Sequence, residues 1–216
     1  MLGIDDRRIV NFDETNCYFS PDLLYTIAGR GSRTVTIAKP ESSQRCTVML
    51  GGSLAGELFP PFVIFKGKNN GCIQEYCCKP EKHGWASGLY YRALAKAWMD
   101  EASLMDWVLQ VWAPWTKTVG KPTLLILDKA RAHMTANIQQ QLSTMGTEVE
   151  YIPVKLTSKL QPMDVGMNKP FKDHMRHYVE NFTIEFGVDK KPTQKDVSGW
   201  IKQARYNVGS ATLRST

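Results

Sequence analysis

The feature that most constrains the fold is a short apolar run, Leu124–Leu127, that ends in Asp128. Four consecutive apolar residues predict a strand that is buried on both faces of a sheet. Residues 135–145, stopped by Gly146, have the pattern of a helix, and residues 149–153 predict a second strand. The order strand, helix, strand predicts a right-handed parallel crossover. We therefore expect an α/β protein with Asp128 at the carboxyl end of a strand, where α/β folds place their active sites.

The amino-terminal third predicts further strands. Residues 8–12 are β-branched and apolar and run directly into Asp13, and residues 34–37 and 46–50 have a similar character. Short connections favour three neighbouring antiparallel strands. Residues 59–65 form an extended apolar run whose two prolines favour an edge strand or a connector over a central strand.

One amphipathic helix is predicted within residues 98–115, where apolar residues recur at i, i+3, i+4, i+7 and i+8. We expect it to pack on the sheet. Aromatic residues at this spacing usually belong to a core, so Trp107 and Trp112 are assigned no chemistry.

Two more helices are predicted near the carboxyl terminus. Apolar residues keep helical spacing from Asp164 onward, and Pro170 must kink this segment or begin a new helix. Thr193 and Asp196 resemble a capping box for a last helix. The predicted inner face of that helix is formed by Val197, Trp200, Ile201 and Ala204.

The bulk properties favour one domain of an intracellular protein. A length of 216 residues suits a single α/β domain, and no apolar run approaches the roughly 18 residues of a membrane span. Residues 1–10 lack the apolar core of a secretory signal. The five cysteines are an odd number, which favours free thiols. The spacing of Cys72, Cys77, Cys78 and His83 matches no regular zinc pattern, so zinc is not expected there.

Positive charge is concentrated in the last third of the chain. Residues 151–216 hold 11 Lys and Arg against 6 Asp and Glu, whereas residues 1–150 hold 16 against 15. An excess of this kind suits a bound polyanion. A solvated helical surface rich in lysine would give the same composition.

Three aspartates, each in its own local context, are the candidate catalytic residues: Asp13, Asp128 and Asp164. Carboxylates gathered from distant segments can hold two divalent cations about 3.5–4 Å apart, which promote in-line attack on a phosphodiester. Each aspartate also has a structural interpretation. Asp13 suits a turn, Asp128 suits a helix cap, and Asp164 suits the first turn of a helix.

A resemblance to a known family favours the catalytic interpretation. The chain resembles the DDE endonuclease domain of the pogo, Tigger and jerky-like transposases, a family that includes centromere protein B. The matching segments, which together span nearly the whole chain, are residues 11–15, Leu127-Asp128-x4-His133, residues 156–172 around Gln161-Pro162-Met163-Asp164, residues 51–68, and Gly84-Trp85.

The resemblance implies an RNase H-like fold with a mixed five-stranded sheet flanked by helices. It implies that Asp13, Asp128 and Asp164 bind two Mg²⁺ or Mn²⁺ ions and catalyse DNA cleavage and strand transfer. The implied partners are the DNA of transposon ends and targets, with a homodimer as a further possibility and no membrane. The implied location is the nucleus. The amino-terminal helix-turn-helix region of the family is expected to be absent from this domain.

Several other residues are candidates for supporting roles. His133 resembles a histidine of the family, and it would lie near the scissile phosphate or orient its loop. Glu14 should point away from Asp13 on an extended strand, which makes it at most an indirect contributor. Lys129 stands where the family commonly has asparagine, and it would contact phosphate or compete for Asp128. The further candidates for DNA-backbone contacts are Lys155, Lys159, Lys169 and Lys172.

Two other functions remain open from the sequence. A domesticated descendant would keep the fold as a DNA-associated module with weak or no catalysis, as Lys129 suggests. A nuclease for RNA–DNA hybrids would use the same fold and the same chemistry.

Overall fold

A mixed six-stranded sheet forms the centre of the molecule, with strand order β4-β3-β2-β1-β5-β6. The computed structural model describes residues 4–19, 44–68, 70–153 and 161–208. The strands are β1 (Ile9–Tyr18), β2 (Arg45–Ser53), β3 (Phe62–Lys66), β4 (Tyr90–Leu94), β5 (Thr123–Leu127) and β6 (Thr147–Tyr151).

Helices cover both faces of this sheet. They are α1 (Cys72–Cys78), α2 (Glu101–Trp107), α3 (Ala113–Val119), α4 (Ala136–Thr144), α5 (Lys169–Phe186) and α6 (Gln194–Val208). A π-helical turn, Val108–Trp112, joins α2 to α3, and a second one, Met163–Asn168, leads into α5. Short 3-10 turns occupy Asp6–Arg8 and Pro80–His83.

The parallel part of the sheet follows the prediction. β5 pairs in parallel with β6, and α4 lies between them in the chain, as expected for a crossover. β5 also pairs in parallel with β1, with Asn11 opposite Ile126. β1 and β2 are antiparallel over their whole common length, from Val10 opposite Ser53 to Tyr18 opposite Arg45. The predicted strand at residues 34–37 lies outside the described residues.

Two predictions about the sheet were wrong. The sheet has six strands instead of five, because the short segment Tyr90–Leu94 forms β4 beside β3. β3 was expected at an edge or in a connector, but it lies between β2 and β4. The reason is that Pro60 and Pro61 both precede the first paired residue, Phe62, so the strand keeps every backbone N–H that its ladders need.

Each face of the sheet buries its own core. On the first, the α2–α4 face, side chains of Val10, Phe12, Met49 and Ile64 pack with Trp107, Trp112, Ile138 and Leu142. On the second, the α5–α6 face, Val48, Leu50, Val63 and Phe65 pack with Phe171, Met175, Val197 and Ile201. Residues of β1 therefore alternate between two different helical layers.

The close packing of β1 against β2 depends on one glycine. Gly51 lies opposite Phe12, and a Cβ atom there would be 2.0 Å from the Phe12 ring. The ring occupies this space because it packs edge-to-face against Phe59 and Trp107. A larger residue at position 51 would displace Phe12, which immediately precedes Asp13.

The predicted helices are confirmed with adjusted ends. The tryptophan-bearing helix starts at Glu101, and its Trp107 and Trp112 are core residues. Pro170 lies in the first turn of α5, as expected if a new helix begins there. The capping box before α6 is present, since Asp196 Oδ2 accepts from Thr193 N at 2.9 Å and Thr193 Oγ1 accepts from Asp196 N at 3.3 Å. Within the described ranges, every helix is too short or too polar to cross a bilayer.

Candidate active site

The parallel pairing of β1 and β5 places two of the three predicted aspartates at the same height along these strands. Asn11 of β1 lies opposite Ile126 of β5, and two residues further along each strand direction are Asp13 and Asp128. Asp13 is inside β1, whereas Asp128 directly follows the last residue of β5. Parallel pairing thus carries both backbones to the carboxyl end of β5.

Asp13 lies on the α5–α6 face in a nearly dry environment. Its residue is only 8% exposed, and its Oδ2 accepts a short hydrogen bond of 2.5 Å from Asn168 Nδ2. Asn168 is the last residue of the π-helical turn before α5. A buried carboxylate needs partners of this kind, because burial without hydrogen bonds is costly.

The third motif is attached to β1 by two buried amides. Asn11 Nδ2 donates to Ile126 O at 2.8 Å, and Asn11 Oδ1 accepts from Met163 N at 2.9 Å. Gln161 Nε2 donates to Phe12 O at 3.2 Å. These bonds join β1, β5 and the π-helical turn at one point, beside Asp13.

Asp164 lies in that π-helical turn, four positions before Asn168. Its side chain is outside the described part of the structure. The backbone therefore brings the third motif to β1, while the role of the Asp164 carboxylate stays a prediction.

His133 joins the carboxylates of Asp128 and Glu14. Its Nδ1 is 2.7 Å from Asp128 Oδ1, and its Nε2 is 3.0 Å from Glu14 Oε1. The imidazole is completely enclosed, with 1% of the side chain exposed. Glu14 does project away from Asp13, as the alternation of a strand predicts, yet it is connected to Asp128 through this histidine.

This arrangement favours the protonated form of His133. Burial alone lowers the pKa of His133, but hydrogen bonds to Asp128 and Glu14, with the charges of both, outweigh it and raise the pKa to about 10. The hydrogen bond from His133 holds the pKa of Asp128 below its usual value, against the opposing effect of burial. Without a metal ion, an imidazolium thus bridges two carboxylates.

The loop after β5 is fixed by further bonds. Asp128 Oδ1 also accepts from Ala130 N at 3.1 Å, and Tyr151 of β6 donates its hydroxyl to His133 O at 2.8 Å. In the described part of the chain, both side-chain bonds of Asp128 use Oδ1. Its Oδ2 therefore remains available for a cation.

The donor atoms at this end of the sheet suit a divalent cation. One ligand atom each of Glu14, Asp128 and His133 lies within 4.8 Å of the others. Carboxylate oxygens suit Mg²⁺ and Mn²⁺, and an imidazole nitrogen can complete a transition-metal site after losing its proton. This group overlaps the predicted triad at Asp128 only.

The candidate lysines fall into two groups. Lys129, Lys169 and Lys172 are exposed, with Lys169 and Lys172 in the first turn of α5. Lys155 and Lys159 lie outside the described residues. Exposure is compatible with contacts to a DNA backbone, and it equally suits solvated side chains.

In the described part of the chain, the cysteines form no cluster of possible metal ligands. Cys72 and Cys78 are exposed, Cys77 is half-buried, and His83 stacks on Tyr76. Burial and the neighbouring Cys78 raise the pKa of Cys77 to about 12, so its thiol is protonated.

Sequence reasoning gave no role to three residues of the site, namely Asn11, Gln161 and Asn168. Asn11 and Gln161 were inside recognised motifs, but their neighbours are more than 100 residues away. Asn168 stands four positions after Asp164, a spacing that places two residues near each other on a helix. That spacing was the one available signal.

The family of the chain follows from comparison with known sequences. The profile of the family described as DDE superfamily endonuclease matches residues 43–216. The chain belongs to this family.

Its relatives are of the pogo and jerky type. The Pogo transposable element with KRAB domain of Homo sapiens is 30% identical over 185 residues, covering 85% of this chain and 29% of that protein. The Jerky protein homolog of Homo sapiens is 28% identical over 186 residues, covering 82% of this chain and 30% of that protein. The chain thus spans less than a third of the length of these two proteins.

Solved structures with a similar fold are transposases. The Mos1 Strand Transfer Complex has a TM-score of 0.52 at 12% identity, covering 97% of this chain and 54% of that chain. The Mos1 mariner paired end complex with Mn has a TM-score of 0.52 at 13% identity, covering 97% and 55%. At this level of identity the likeness shows the fold, which is RNase H-like as predicted.

Proposed function

We propose that the chain is the catalytic domain of a transposase that cuts DNA and joins the released end to a target. The observation that carries this proposal is the strand register that brings the backbones of Asp13 and Asp128 to one end of the sheet, with the third motif bound to β1 through Asn11 and Gln161. Membership in the endonuclease family and the fold likeness to Mos1 support it.

In this proposal Asp13, Asp128 and Asp164 hold two Mg²⁺ or Mn²⁺ ions. The ions, when bound, activate the attacking water or 3′-hydroxyl and stabilise the leaving oxygen. The residues of the chain position the ions and the strand. Asn168 orients the Asp13 carboxylate, and His133 orients the Asp128 carboxylate, each by a direct hydrogen bond.

The partners follow from the same reaction. DNA is the substrate, and the exposed Lys129, Lys169 and Lys172 are proposed contacts to its backbone. The Mos1 relatives were solved as complexes with a transposon end and after strand transfer, which supports DNA as the partner here. A homodimer and action in the nucleus are further parts of the proposal.

A plasmid nicking assay tests the reaction. We expect the chain with Mn²⁺ to nick supercoiled plasmid, and Asp128→Asn to lose at least about 100-fold of that rate, because several kcal/mol of transition-state stabilisation depend on the ions. Asp189→Asn, an exposed carboxylate on the α5–α6 connection, is the matched control. Equal nicking by wild type and Asp128→Asn would overturn the proposal.

One observation favours a second function, a DNA-associated module with weak or no catalysis. The Asp128 carboxylate is already paired with His133, and the next residue in the chain is the exposed Lys129. Calorimetric titration with Mn²⁺ separates the two functions. Metal binding that disappears in Asp128→Asn supports the nuclease, whereas no heat in either protein supports the module.

A further inference from the structure

An exposed patch of aromatic and basic residues lies beyond the candidate active site. It consists of Tyr18 at the end of β1, Arg45 at the start of β2, Lys66 at the end of β3, and Lys96 and Trp98 in the turn after β4. We refer to these five residues as the Trp98 patch. Trp98 is 61% exposed and Tyr18 is 44% exposed. The patch thus places two large aromatic side chains in water among three basic residues.

Three hydrogen bonds fix the turn that carries Trp98 to the sheet. Thr47 Oγ1 donates to Ala97 O at 2.6 Å, and Arg45 Nη2 donates to Lys96 O at 3.2 Å. Ala97 N donates to Leu94 O at 3.1 Å. These bonds hold a backbone that would otherwise be unfavourable.

Ala97 adopts a left-handed conformation with φ of 50°, and its residue is completely buried. A non-glycine residue in this region costs free energy and persists where the surroundings enforce it. The burial of Ala97 beneath the turn leaves the next residue, Trp98, outside. The strained backbone of Ala97 therefore places the indole ring of Trp98 in solvent.

Arg45 also orients that ring. Its guanidinium carbon lies 5.0 Å from the centre of the Trp98 ring, within the range of a cation–π contact. The same guanidinium bonds the turn backbone, so ring and cation have a fixed relative position. A stacked aromatic ring beside a cation is the combination that binds a nucleobase and its phosphate.

The patch lies on the same sheet face as the His133 cluster. Glu14, Asn16 and Tyr18 alternate along β1 with the same orientation as Phe12 on the α2–α4 face. Tyr18 is four residues beyond Glu14, which corresponds to about 13 Å along a strand. This distance equals about four base steps of DNA at 3.4 Å each.

Among the described residues, no carboxylate forms a salt bridge with Arg45, Lys66 or Lys96. Asp100 accepts hydrogen bonds from the backbone N and the Oγ of Ser103 at the start of α2. Glu101 accepts from Asn137, and Asp106 pairs with Arg92. Of these three carboxylates, Asp106 is paired with a cation, and Lys66 and Lys96 are exposed.

We propose that the Trp98 patch binds an unpaired segment of the DNA strand within about four nucleotides of the scissile phosphate. Bases stack on Trp98 and Tyr18, and phosphates contact Arg45, Lys66 and Lys96. This inference deepens the proposed function and rests on it for the location of the scissile phosphate. Blunt duplex binds less well, because its bases are not available for stacking.

Binding is measured by fluorescence anisotropy in Ca²⁺, with a labelled duplex carrying a six-nucleotide overhang and the blunt duplex as reference. We expect Trp98→Ala to weaken overhang binding about five- to tenfold, as the loss of one stacked base predicts. Trp98→Phe should restore most of the affinity. Tyr206→Ala, which removes an aromatic that is 80% exposed on α6, is the matched control.

Position is measured by placing 2-aminopurine at each of the six overhang nucleotides in turn. Quenching confined to one or two positions, and lost in Trp98→Ala but not in Tyr206→Ala, supports a stacking site. Uniform quenching, or equal quenching in both variants, would overturn it. The cation contacts are tested with Lys66→Ala, which should reduce the slope of log K against log salt by about 1, against Lys82→Ala as the control.

The outcomes separate this inference from the proposed function. If Trp98→Ala binds DNA like wild type while Asp128→Asn loses nicking, the patch proposal fails and the nuclease proposal stands. In that case DNA is not the ligand of the Trp98 patch, and a protein partner becomes the next candidate to test. If overhang binding requires Trp98 while no protein variant nicks plasmid, the patch stands and the catalytic proposal fails.

Discussion

Asp13 and Glu14 are neighbours in the chain, yet they belong to two differently built regions. Asp13 faces the α5–α6 layer and is held by one neutral amide, Asn168, from a helix more than 150 residues away. Glu14 faces the α2–α4 layer and contacts a histidine that is also bound to Asp128. The Asp13 carboxylate accepts a hydrogen bond from a neutral amide, whereas the Asp128 and Glu14 carboxylates flank a histidine whose protonated form they favour. In the proposed metal site, Asp13 would be a ligand, and Glu14 would support the site through its contact with His133.

The largest expected effect comes from substituting Asp13, and its neighbour Glu14 provides the comparison. Asp13→Asn should reduce Mn²⁺-dependent nicking by at least about 100-fold, because a metal ligand is lost. Glu14→Gln should reduce it by about tenfold, as the loss of support for a ligand does. The plasmid nicking rate is the measurement. Equal losses in the two variants would show that Glu14 is itself a ligand.

Removing the neutral support of Asp13 should have the next largest effect. Asn168→Ala is expected to lower Mn²⁺ affinity by about 10- to 100-fold, the usual cost of removing a partner of a metal ligand. Titration calorimetry with Mn²⁺ gives the affinity. Asn207→Ala, which removes an exposed amide bonded to Tyr178, controls for the loss of an ordinary hydrogen bond. An unchanged affinity in Asn168→Ala would contradict the role assigned to this residue.

The stability of the region around His133 should depend on pH. The pKa of His133 is raised from 6.5 to about 10 by folding, so its contribution to stability is complete below pH 6.5 and is lost as pH rises through about 10. In metal-free protein this loss should be on the order of 2 kcal/mol, less than the full shift implies because Asp128 and Glu14 are partly exposed. Urea unfolding at several pH values measures it.

His133→Gln should remove most of that pH dependence, whereas His177→Gln, at an exposed site on α5, should keep it. A wild-type protein whose free energy of unfolding is constant between pH 6.5 and 10 would refute the bridged imidazolium.

The smallest expected effect lies outside both regions. Thr193→Ala removes the hydroxyl that caps α6, which should lower the free energy of unfolding by about 1 kcal/mol. Nicking at a temperature where the protein is fully folded should not change. A loss of nicking would mean that the end of α6 communicates with the site.

The sequence was most informative where one local pattern decides the structure. The β5–α4–β6 unit was predictable, because an apolar run, a helical period and a glycine stop act within about 30 residues of one another. The position of β3 was not predictable, because the sequence does not show that Pro60 and Pro61 precede the strand instead of lying within it. β4 was missed, because its five residues include Arg92 and show no clear alternation.

The site was predictable to the extent that motifs carry it. Asp13, Asp128 and Asp164 were predicted by resemblance, since each also has a structural interpretation when considered alone, and their joint metal-binding role stays a prediction. The contact between Glu14 and His133 was not predictable, since it joins residues 119 positions apart and depends on the twist of the sheet. The display of Trp98 depends on the backbone of Ala97, which no local signal indicates.

Two hydrogen bonds join the third motif to β1, and they can form only late in synthesis of the protein. Met163 reaches Asn11, and Asn168 reaches Asp13, across 152 and 155 residues of chain. A polypeptide still emerging from the ribosome lacks both contacts until nearly four-fifths of this sequence has been made. A truncated product would therefore keep its first motif but lack the contacts that assemble the candidate active site.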